Sequence, residues 1–361
     1  MINTKCSIIV IMATNSLDIT YNGYFVPRGG YGILNWQWAK HLARAGVNVY
    51  IKPFFSIDPY ITELSSEERE LLAKEPKKTP RVGIVETQPW GLDWVKNPVK
   101  LVTAMVESDA VGGKWVETLN QATVVIAPND FCKRILTTHG VQRPIVVIRP
   151  GVDIEDFPYF NRPPRDVFTF GMCGYLDKRK GAIEVIQAFC SEFRDEKDVR
   201  LVLHSSNSDF GFYRSVHDPR VTITTKFKTR EQLRDFYNML DCFVFPSRGE
   251  GIGYPPREAM ATGLPVIAMN WSGLEDIMSP AISYPIQPAG LSLRNDFVEQ
   301  PGKWANIDVS ELMYQMRNVY ENRLDAKEKG KKAHQYIKEM FSWKRSAREM
   351  IYLIKKYETF Q

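Results

Sequence analysis

A glycine-rich loop is the stretch of this sequence best suited to chemistry. Gly249, Gly251 and Gly253 closely follow the apolar run Cys242–Phe245. Glycines let the backbone approach a ligand closely and point its N–H groups at it. The next residues, Pro255-Pro256, suit the first turn of a helix, whose N-terminus favours anions. We therefore predict a phosphate-binding loop here.

Two carboxylates bracket this loop. Glu250 lies within it, and Glu258 falls in the first turn of the predicted helix. Carboxylates accept hydrogen bonds from hydroxyl groups, often two at a time. The pair therefore predicts contacts with hydroxyls on either side of a phosphate, which is the outline of a nucleotide sugar. The alternatives are a turn carboxylate for Glu250 and a partner of the helix dipole for Glu258.

The segment from Glu250 to Ala268, EGIGYPPREAMATGLPVIA, resembles the signature of glycosyltransferase family 4, EGFGxxxxEAMAxGxPVIA. Members of this family are retaining enzymes of the GT-B fold. The resemblance is strong over 167–280 and is carried by separate short motifs elsewhere. It implies transfer of a hexosyl or pentosyl group from a nucleotide-diphosphate sugar. That co-substrate is expected to act without any further cofactor.

A basic turn supplies a second motif. The segment Gly174–Gly181 resembles the family's GRLxxxKG turn, in which the Arg and the Lys bind the donor diphosphate. Lys180 matches the Lys, but Tyr175 stands at the Arg position. One cation of the leaving-group site is therefore missing, and Lys178 and Arg179 are the candidates to replace it. The alternative is an ordinary basic turn.

The resemblance also implies roles for the other site residues. Glu258 would bind the ribose hydroxyls, while Glu250 and the loop amides would bind the sugar. Lys180 would stabilise the departing diphosphate, and Gly29-Gly30 matches the family's N-terminal glycine loop. The implied donor-binding residues are Gly30, Lys178, Arg179, Lys180, Glu250, Gly251, Ile252, Gly253, Tyr254 and Glu258.

Glu107 is a third catalytic candidate, beside Lys180 and Glu250. Many family members carry a His at the end of an N-terminal strand, whereas the comparable segment here, Leu101–Asp109, has none. It resembles a subgroup with an E-[ST]-D pattern followed by Trp and Leu-Asn, which implies that Glu107 lies in the cleft. The alternative is a strand-end carboxylate that caps the next turn.

No metal is predicted. The sequence has no Asp-x-Asp motif of the kind that holds a divalent ion under a diphosphate. Cationic side chains, loop amides and helix N-termini can neutralise a leaving group instead. We therefore expect a metal-independent enzyme.

Short apolar runs alternate with amphipathic segments along the whole chain. The N-terminal half predicts strands at Ile8–Met12, Val47–Ile51 and Leu101–Val106, among others, and a helix that begins after Gly29-Gly30. The pattern then restarts near Val167. Continuous Val- and Ile-rich runs are typical of parallel strands covered on both faces. The fold class is therefore α/β, with two doubly wound Rossmann-like domains that face a central cleft, as in GT-B enzymes.

A proline-rich segment, 149–165, joins the two halves and has no helical or strand periodicity. We predict an acceptor-side Rossmann-like domain over 1–160 and a donor-binding Rossmann-like domain over 161–341. The segment Phe341-Ser342-Trp343 resembles the start of the family's last helix. We therefore expect residues 342–361 to form a helix that packs back on the N-terminal domain.

Composition narrows the class of protein further. Hydrophobic residues make up 44% of the 361 residues and charged residues 25%, which excludes a disordered chain. No apolar stretch is long enough to span a bilayer. The chain has 5 cysteines and no CxxC pair, which suits a reducing compartment. We expect a cytoplasmic protein.

Two other functions stay open at this stage. One is a nucleotide-sugar 2-epimerase on the same fold, and the other is a non-catalytic nucleotide-sugar binding module, which the Tyr175 departure favours. The acceptor is also open. A glycan is favoured, while a lipid or a hydroxylated DNA base remains an alternative, the latter because of the net charge of +5.

Overall fold

The chain forms two parallel sheets, each flanked by helices. The structure is a computed structural model that describes residues 17–26, 29–86, 91–205, 217–225, 229–294 and 301–359. The predicted strand Ile8–Met12 lies outside these residues. Each of the two large sheets has six strands.

The N-terminal sheet has the strand order β2-β1-β3-β4-β5-β6, and every pairing is parallel. Its strands are β1 (Leu17–Gly23), β2 (Val47–Pro53), β3 (Val82–Glu86), β4 (Val99–Thr103), β5 (Val124–Ala127) and β6 (Ile145–Val147). The helices between them are α1 (Gly30–Arg44), α2 (Ser66–Leu72), α3 (Gly113–Leu119) and α4 (Asp130–Thr138).

β1 lies inside this sheet and was not predicted from the sequence, because its residues are partly polar. Thr20 and Asn22 are nevertheless buried. Thr20 Oγ1 donates to Asn97 Oδ1 at 2.8 Å, and Asn22 Nδ2 donates to Thr20 Oγ1 at 2.9 Å. These bonds offset the cost of burying the polar groups. The polar residues therefore obscured the strand pattern of β1 in the sequence, although hydrogen bonds such as the one to Asn97 stabilise the strand in the fold.

The C-terminal sheet is also parallel, in the order β12-β11-β10-β7-β8-β9. Its strands are β7 (Phe168–Gly174), β8 (Val199–Ser205), β9 (Val221–Thr224), β10 (Cys242–Phe245), β11 (Val266–Met269) and β12 (Tyr284–Ile286). A separate antiparallel hairpin consists of β13 (Leu291–Leu293) and β14 (Lys303–Ala305). The helices are α5 (Ala182–Glu192), α6 (Arg230–Met239), α7 (Tyr254–Ala261), α8 (Val309–Glu321) and α9 (Arg323–Met340).

The predicted strands and helices within the described residues are confirmed, with small shifts at their ends. The largest concerns the predicted strand Leu101–Val106, because β4 ends at Thr103. Beyond it the chain leaves the sheet, and the Val106 N–H donates to Cys132 Sγ at 3.4 Å instead of to a strand. The helices α8 and α9 meet at Asn322, which follows the first and precedes the second.

The proline-rich segment 149–165, here called the connector, joins the two sheets and is irregular, as predicted. Arg162 anchors part of it. This guanidinium donates to the carbonyl oxygens of Tyr237, Leu240 and Thr262 at 3.1, 3.0 and 2.9 Å. A cavity of about 250 Å³ beside it is lined by residues of the connector, by residues just before β10 and β11, and by the start of α9. It opens at the amino ends of the strands, the edge opposite to the candidate site.

The last helix, α10 (Trp343–Glu358), packs on the N-terminal domain. Trp343 contacts Trp38 edge-on at 5.1 Å and stacks on His41 at 5.1 Å between ring centroids. Met350 and Ile354 belong to the same core as the first strands. The helix begins one residue later than predicted, at Trp343, and the side chain of Ser342 makes no capping hydrogen bond.

Candidate active site

The glycine loop follows β10 and leads directly into α7. Gly253 stands at the N-cap position of α7 with a φ of +75°, a left-handed backbone conformation that favours glycine. A Cβ at this position would also lie 2.3 Å from Leu274 Cδ2. The turn therefore requires glycine on two grounds, and the sequence prediction of a loop leading into a helix is confirmed.

Glu250 lies at the centre of a buried polar cluster. Its Oε1 accepts hydrogen bonds from Lys180 Nζ at 2.5 Å and from Ser247 Oγ at 2.5 Å. Lys180 is 7% exposed and Glu250 is 5% exposed. Burial on its own would raise the pKa of Glu250, but the charges of Lys180 and Arg179 outweigh it and lower the pKa. Glu250 is therefore a carboxylate held ionised by two cations.

Arg179 extends this cluster across the domain boundary. Its Nη1 donates to Glu250 Oε1 at 3.0 Å and lies 3.6 Å from Glu107 Oε1. Burial opposes the charge of Arg179, but Glu250 and Glu107 together raise its pKa. The structure thus brings Glu107 of the N-terminal domain to the same cation that holds Glu250.

Glu107 differs from Glu250 in its electrostatic surroundings. Burial raises its pKa, Arg179 lowers it, Glu250 raises it again, and the net result is a raised pKa. Its side chain keeps 27% of its exposure, against 7% for that of Glu250. Two carboxylates with opposed pKa shifts at one cation are a common arrangement in catalytic sites.

The turn before Lys180 places the two candidate cations, Lys178 and Arg179, differently. Tyr175 is 57% exposed. Lys178 is exposed, and its carbonyl accepts from Arg248 Nη1 at 2.7 Å. Of the two candidates, Arg179 is the one whose guanidinium lies in the cluster. Gly30 is exposed at the first position of α1, and Tyr31 beside it acts electrostatically on Arg179.

The middle of the glycine loop is docked on the N-terminal domain. Asn129 Nδ2 donates to the Gly251 carbonyl at 2.6 Å. Ile252 is buried in the N-terminal core, and Tyr254 packs against that core. A Cβ at Gly251 would lie 3.0 Å from Met105 Cβ. The loop therefore belongs to the C-terminal domain by sequence and to both domains by packing.

Glu258 lies in a second, separate group of buried polar side chains. Its Oε2 accepts from Tyr237 OH at 2.9 Å, and its Oε1 lies 3.9 Å from Arg230 Nη1. Burial raises the pKa of Glu258, although Arg230 and the Tyr237 hydrogen bond oppose this. The Arg230 guanidinium also lies over the Phe157 ring at 4.8 Å from its centroid. Glu258 is thus oriented at the start of α7 with one oxygen already committed to Tyr237.

A further contact between the domains involves the residues after Glu107. The Lys303 N–H donates to Asp109 Oδ1 at 2.6 Å, and Ser108 Oγ donates to the Pro301 carbonyl at 3.1 Å. Ser108 and Asp109 of the E-S-D triplet therefore contact the hairpin region of the C-terminal domain. Trp304 of that hairpin lies next to Gly249, and Arg294 lies over its ring at 4.7 Å.

Sequence reasoning missed Asn129, Trp304 and the docking role of Ser108 and Asp109. Asn129 carried one visible signal, since an Asn before a predicted helix suggests an N-cap. It does cap α4, because its Oδ1 accepts from the Cys132 N–H at 2.8 Å. Its second hydrogen bond, to the Gly251 carbonyl, joins residues that are far apart in the chain, so no local sequence pattern could indicate it.

Within the described ranges, no group of three or more His, Cys, Asp or Glu side chains is arranged to hold a metal ion. A search of the same residues for helices that could cross a membrane found none that is long and apolar enough.

Residues 167–291, which include the turn with Lys180 and the glycine loop, match a family model described as glycosyl transferases group 1. The C-terminal domain is similar to this family. A capsular polysaccharide biosynthesis glycosyltransferase, CapM, from Staphylococcus aureus is 33% identical over 177 residues, which cover 43% of this chain and 45% of that protein. The chain spans less than half the length of the first curated relatives that it matches.

Solved structures extend the likeness to both domains. Sucrose-phosphate synthase from Thermosynechococcus elongatus has a TM-score of 0.73 at 18% identity, over 94% of this chain and 98% of that chain. HepE from Anabaena, solved in complex with UDP and glucose, has a TM-score of 0.72 at 14% identity, over 94% and 100%. These likenesses confirm the predicted fold class, GT-B, with two Rossmann-like domains.

Proposed function

We propose that this protein is a retaining, metal-independent glycosyltransferase of family 4. It would move a hexosyl or pentosyl group from a nucleotide-diphosphate sugar to an acceptor hydroxyl, and a glycan acceptor is favoured. The observation that carries the proposal is the cluster in which Lys180, Arg179 and Ser247 all converge on Glu250. The match of residues 167–291 to glycosyl transferases group 1 supports it.

Each of the two groups of side chains, the one around Glu250 and the one around Glu258, suits one part of such a donor. Glu258, oriented by Tyr237, offers its second oxygen to ribose hydroxyls, which donate to carboxylates. Lys180 and Arg179 supply positive charge where a diphosphate would depart. Glu250 and the loop amides would contact the sugar. HepE, which has a similar fold, was solved in complex with UDP-glucose, and this supports a nucleotide-sugar donor here.

The proposed reaction is a same-face substitution. The bond from the anomeric carbon to the diphosphate oxygen breaks, and a bond from that carbon to the acceptor oxygen forms on the same face. The acceptor proton passes to the leaving phosphate. Glu250 holds the cations Lys180 and Arg179 in place, so they need not rearrange as negative charge grows on the leaving oxygen. Preorganised cations stabilise such developing charge in the transition state most strongly. Glu107, which belongs to the N-terminal domain and lies 3.6 Å from Arg179, would position the acceptor.

Nucleotide binding and transfer test the proposal in sequence. Nucleotide sugars are screened by thermal shift, since a ligand at about 100 times its Kd stabilises the folded state by roughly 2.7 kcal/mol. The hit is then incubated with candidate acceptors, with and without EDTA. Glu258→Gln should weaken nucleotide binding about ten- to a hundredfold, because a charge-assisted hydrogen bond is lost. A parent that binds no nucleotide, or that needs added Mg²⁺ for turnover, would contradict the assignment.

A further inference from the structure

Four aromatic side chains gather at one corner of the N-terminal domain. Tyr24 follows β1, Phe54 and Phe55 follow β2, and Trp94 ends the short turn of 3-10 helix Leu92–Trp94. We call these four residues the aromatic shelf. All of them lie beyond the carboxyl ends of parallel strands, the edge at which ligands bind in doubly wound sheets. None of them belongs to the site described above.

The shelf combines exposed rings with a rigid backing. Tyr24 is 38% exposed, Phe55 is 48% exposed and Trp94 is 56% exposed. Trp94 meets Phe54 edge-on at 5.4 Å and Phe55 at 6.5 Å between ring centroids. Phe54 is partly buried against the core beneath. Exposed aromatics held in fixed mutual orientations are typical of binding surfaces.

Buried groups under the shelf fix its first residue. Glu86, at the end of β3, is buried and accepts hydrogen bonds from Asn35 Nδ2 at 3.3 Å and from the Tyr24 backbone N–H. Asn35 Nδ2 also donates to the Tyr24 carbonyl at 3.0 Å. The backbone of Tyr24 is therefore held on both its donor and its acceptor sides, so that the shelf is part of the scaffold.

The shelf and Glu107 share one sheet edge. Glu107 follows β4, which lies two strands from β1 and three strands from β2 in the sheet order. At the usual strand spacing these separations are roughly 10 and 14 Å. A few residues after Tyr24 the chain reaches Gly30 and Tyr31, and Tyr31 is close enough to Arg179 to contribute to its raised pKa. A ligand that reaches from Glu107 to the shelf must therefore be longer than one sugar ring.

Charge around the shelf indicates which kind of ligand fits. In the stretches 52–64 and 91–96 the acids are Asp58, Glu63 and Asp93, all exposed. The cations in these stretches are Lys96 and Lys52, and Lys52 Nζ is bonded to Glu75 Oε2 at 2.6 Å. Lys100 of β4 adds a third cation, because its Nζ donates to the Leu92 carbonyl at 3.4 Å, so that acids and cations are equal in number. A nucleic acid or an anionic lipid surface needs an excess of Lys and Arg. The balance here disfavours both and suits a neutral, hydroxyl-rich ligand.

We propose that the aromatic shelf is an acceptor subsite that stacks a neutral sugar ring beyond the ring that carries the accepting hydroxyl. The acceptor is then an oligosaccharide or a longer glycan. The apolar face of a sugar ring covers Trp94 or Phe55, and the nearby carboxylates accept hydrogen bonds from its hydroxyl rim. This inference rests on the proposed glycosyl transfer, because it assigns the acceptor end of that same site.

Direct binding tests the shelf without any need for turnover. The probes are an array of neutral mono- and oligosaccharides, a single-stranded DNA and phosphatidylglycerol vesicles. The variants are Trp94→Ala and Phe55→Ala, with Tyr352→Ala as the matched control, because Tyr352 is 73% exposed on α10. We expect the parent to prefer oligosaccharides to monosaccharides. Each shelf variant should lose about tenfold or more in oligosaccharide affinity, and the control should lose none.

Nucleotide binding is measured on the same proteins by thermal shift with UDP and other nucleotides. One outcome is that the parent binds no nucleotide while the shelf variants still lose affinity for oligosaccharides. That result would contradict the proposed glycosyl transfer and would still support the shelf as a saccharide-binding site. If the shelf variants bind oligosaccharides as well as the parent does, the shelf proposal is overturned. It is overturned equally if the parent binds DNA or vesicles through Trp94, or if it binds none of the three probes.

Discussion

Asn129 of the N-terminal domain donates from Nδ2 to the Gly251 carbonyl of the C-terminal domain at 2.6 Å. The same side chain accepts from the Cys132 N–H and so caps α4. A single buried amide thus contacts a helix N-terminus in one domain and the glycine loop of the other. The middle of the glycine loop is therefore held in part by the N-terminal domain, whereas the hydrogen-bond partners of the Glu250 carboxylate all belong to the C-terminal domain.

Two substitutions separate the roles of Asn129. Asn129→Ser keeps a side chain that can cap a helix but is too short for the Gly251 bond, whereas Asn129→Ala loses both. We expect the serine variant to lose about 1 kcal/mol of unfolding free energy and the alanine variant roughly 2 kcal/mol. Urea unfolding measures both values. Equal losses in the two variants would show that the cap contributes nothing.

Gly249 allows the close approach of the two domains. A Cβ there would lie 2.0 Å from the Glu107 carbonyl oxygen and 2.9 Å from Trp304 Cδ1. Gly249→Ala should therefore push the domains apart and misplace Glu107 relative to Glu250. Misplacement on this scale costs roughly a hundredfold in turnover. Nucleotide binding at Glu258 should change little, because that group of side chains belongs to the C-terminal domain.

The matched control for this substitution is Gly113→Ala. No heavy atom lies within 4 Å of a Cβ at Gly113, which is the first residue of α3. Transfer and nucleotide affinity are measured for both variants. If Gly249→Ala turned over as fast as Gly113→Ala does, the contact between Gly249 and Glu107 would not be needed for the reaction.

The sequence was sufficient to predict the repeated α/β architecture, because buried parallel strands such as β5 and β11 are continuous apolar runs that need no partner to be recognised. It also predicted the loop at Gly253, and the resemblance placed Glu250 and Lys180 in one donor-binding site, although not in contact with each other. It failed for β1, where the burial of Thr20 and Asn22 depends on a distant amide, Asn97.

The choice between Lys178 and Arg179 shows the same limit. The two cations are neighbours in the sequence, and both stand close to Lys180. Only the direction in which the turn carries each side chain decides that Arg179 joins Glu250 and Glu107. The contacts of Ser108 and Asp109 with the hairpin were likewise hidden, because they join residues that are nearly 200 positions apart.

Glu86 makes stability depend on pH. Burial raises the pKa of Glu86 from 4.5 to about 7, although hydrogen bonds from Asn35 and Tyr24 oppose the shift. A carboxyl group with a raised pKa binds more protons in the folded state, so stability falls as the pH rises from about 4.5 to 7. The loss above this window is roughly 3 kcal/mol.

Glu86→Gln should abolish this dependence, because glutamine accepts the same hydrogen bonds and does not ionise. We expect the variant to equal or slightly trail the parent near pH 4.5, and to exceed it at about pH 8 by up to roughly 3 kcal/mol. Unfolding in urea at the two pH values gives the comparison. A difference in stability between parent and variant that stayed the same at the two pH values would refute the raised pKa of Glu86.

Lys180 is the residue on which the proposed chemistry depends most. Its Nζ lies 2.5 Å from Glu250 Oε1 and 5.0 Å from the centroid of the Phe245 ring, which fixes the cation before any ligand arrives. Lys180→Ala should lower kcat about 10²- to 10³-fold, since a preorganised cation acts most on charge that develops in the transition state. The affinity for free nucleotide should fall much less.

Two variants from the same turn serve as comparisons. Tyr175→Arg restores the residue found in the family, but Tyr175 is 57% exposed and Arg179 already lies at the cluster, so kcat should change by less than about threefold. Lys178→Ala removes an exposed lysine and should also leave kcat nearly unchanged. Single-turnover transfer is measured for all three variants beside the parent. If Lys180→Ala turned over as fast as Lys178→Ala, Lys180 would not stabilise the departing diphosphate. A binding module that holds nucleotide sugars without transferring them would then explain better why Tyr175 stands at the Arg position.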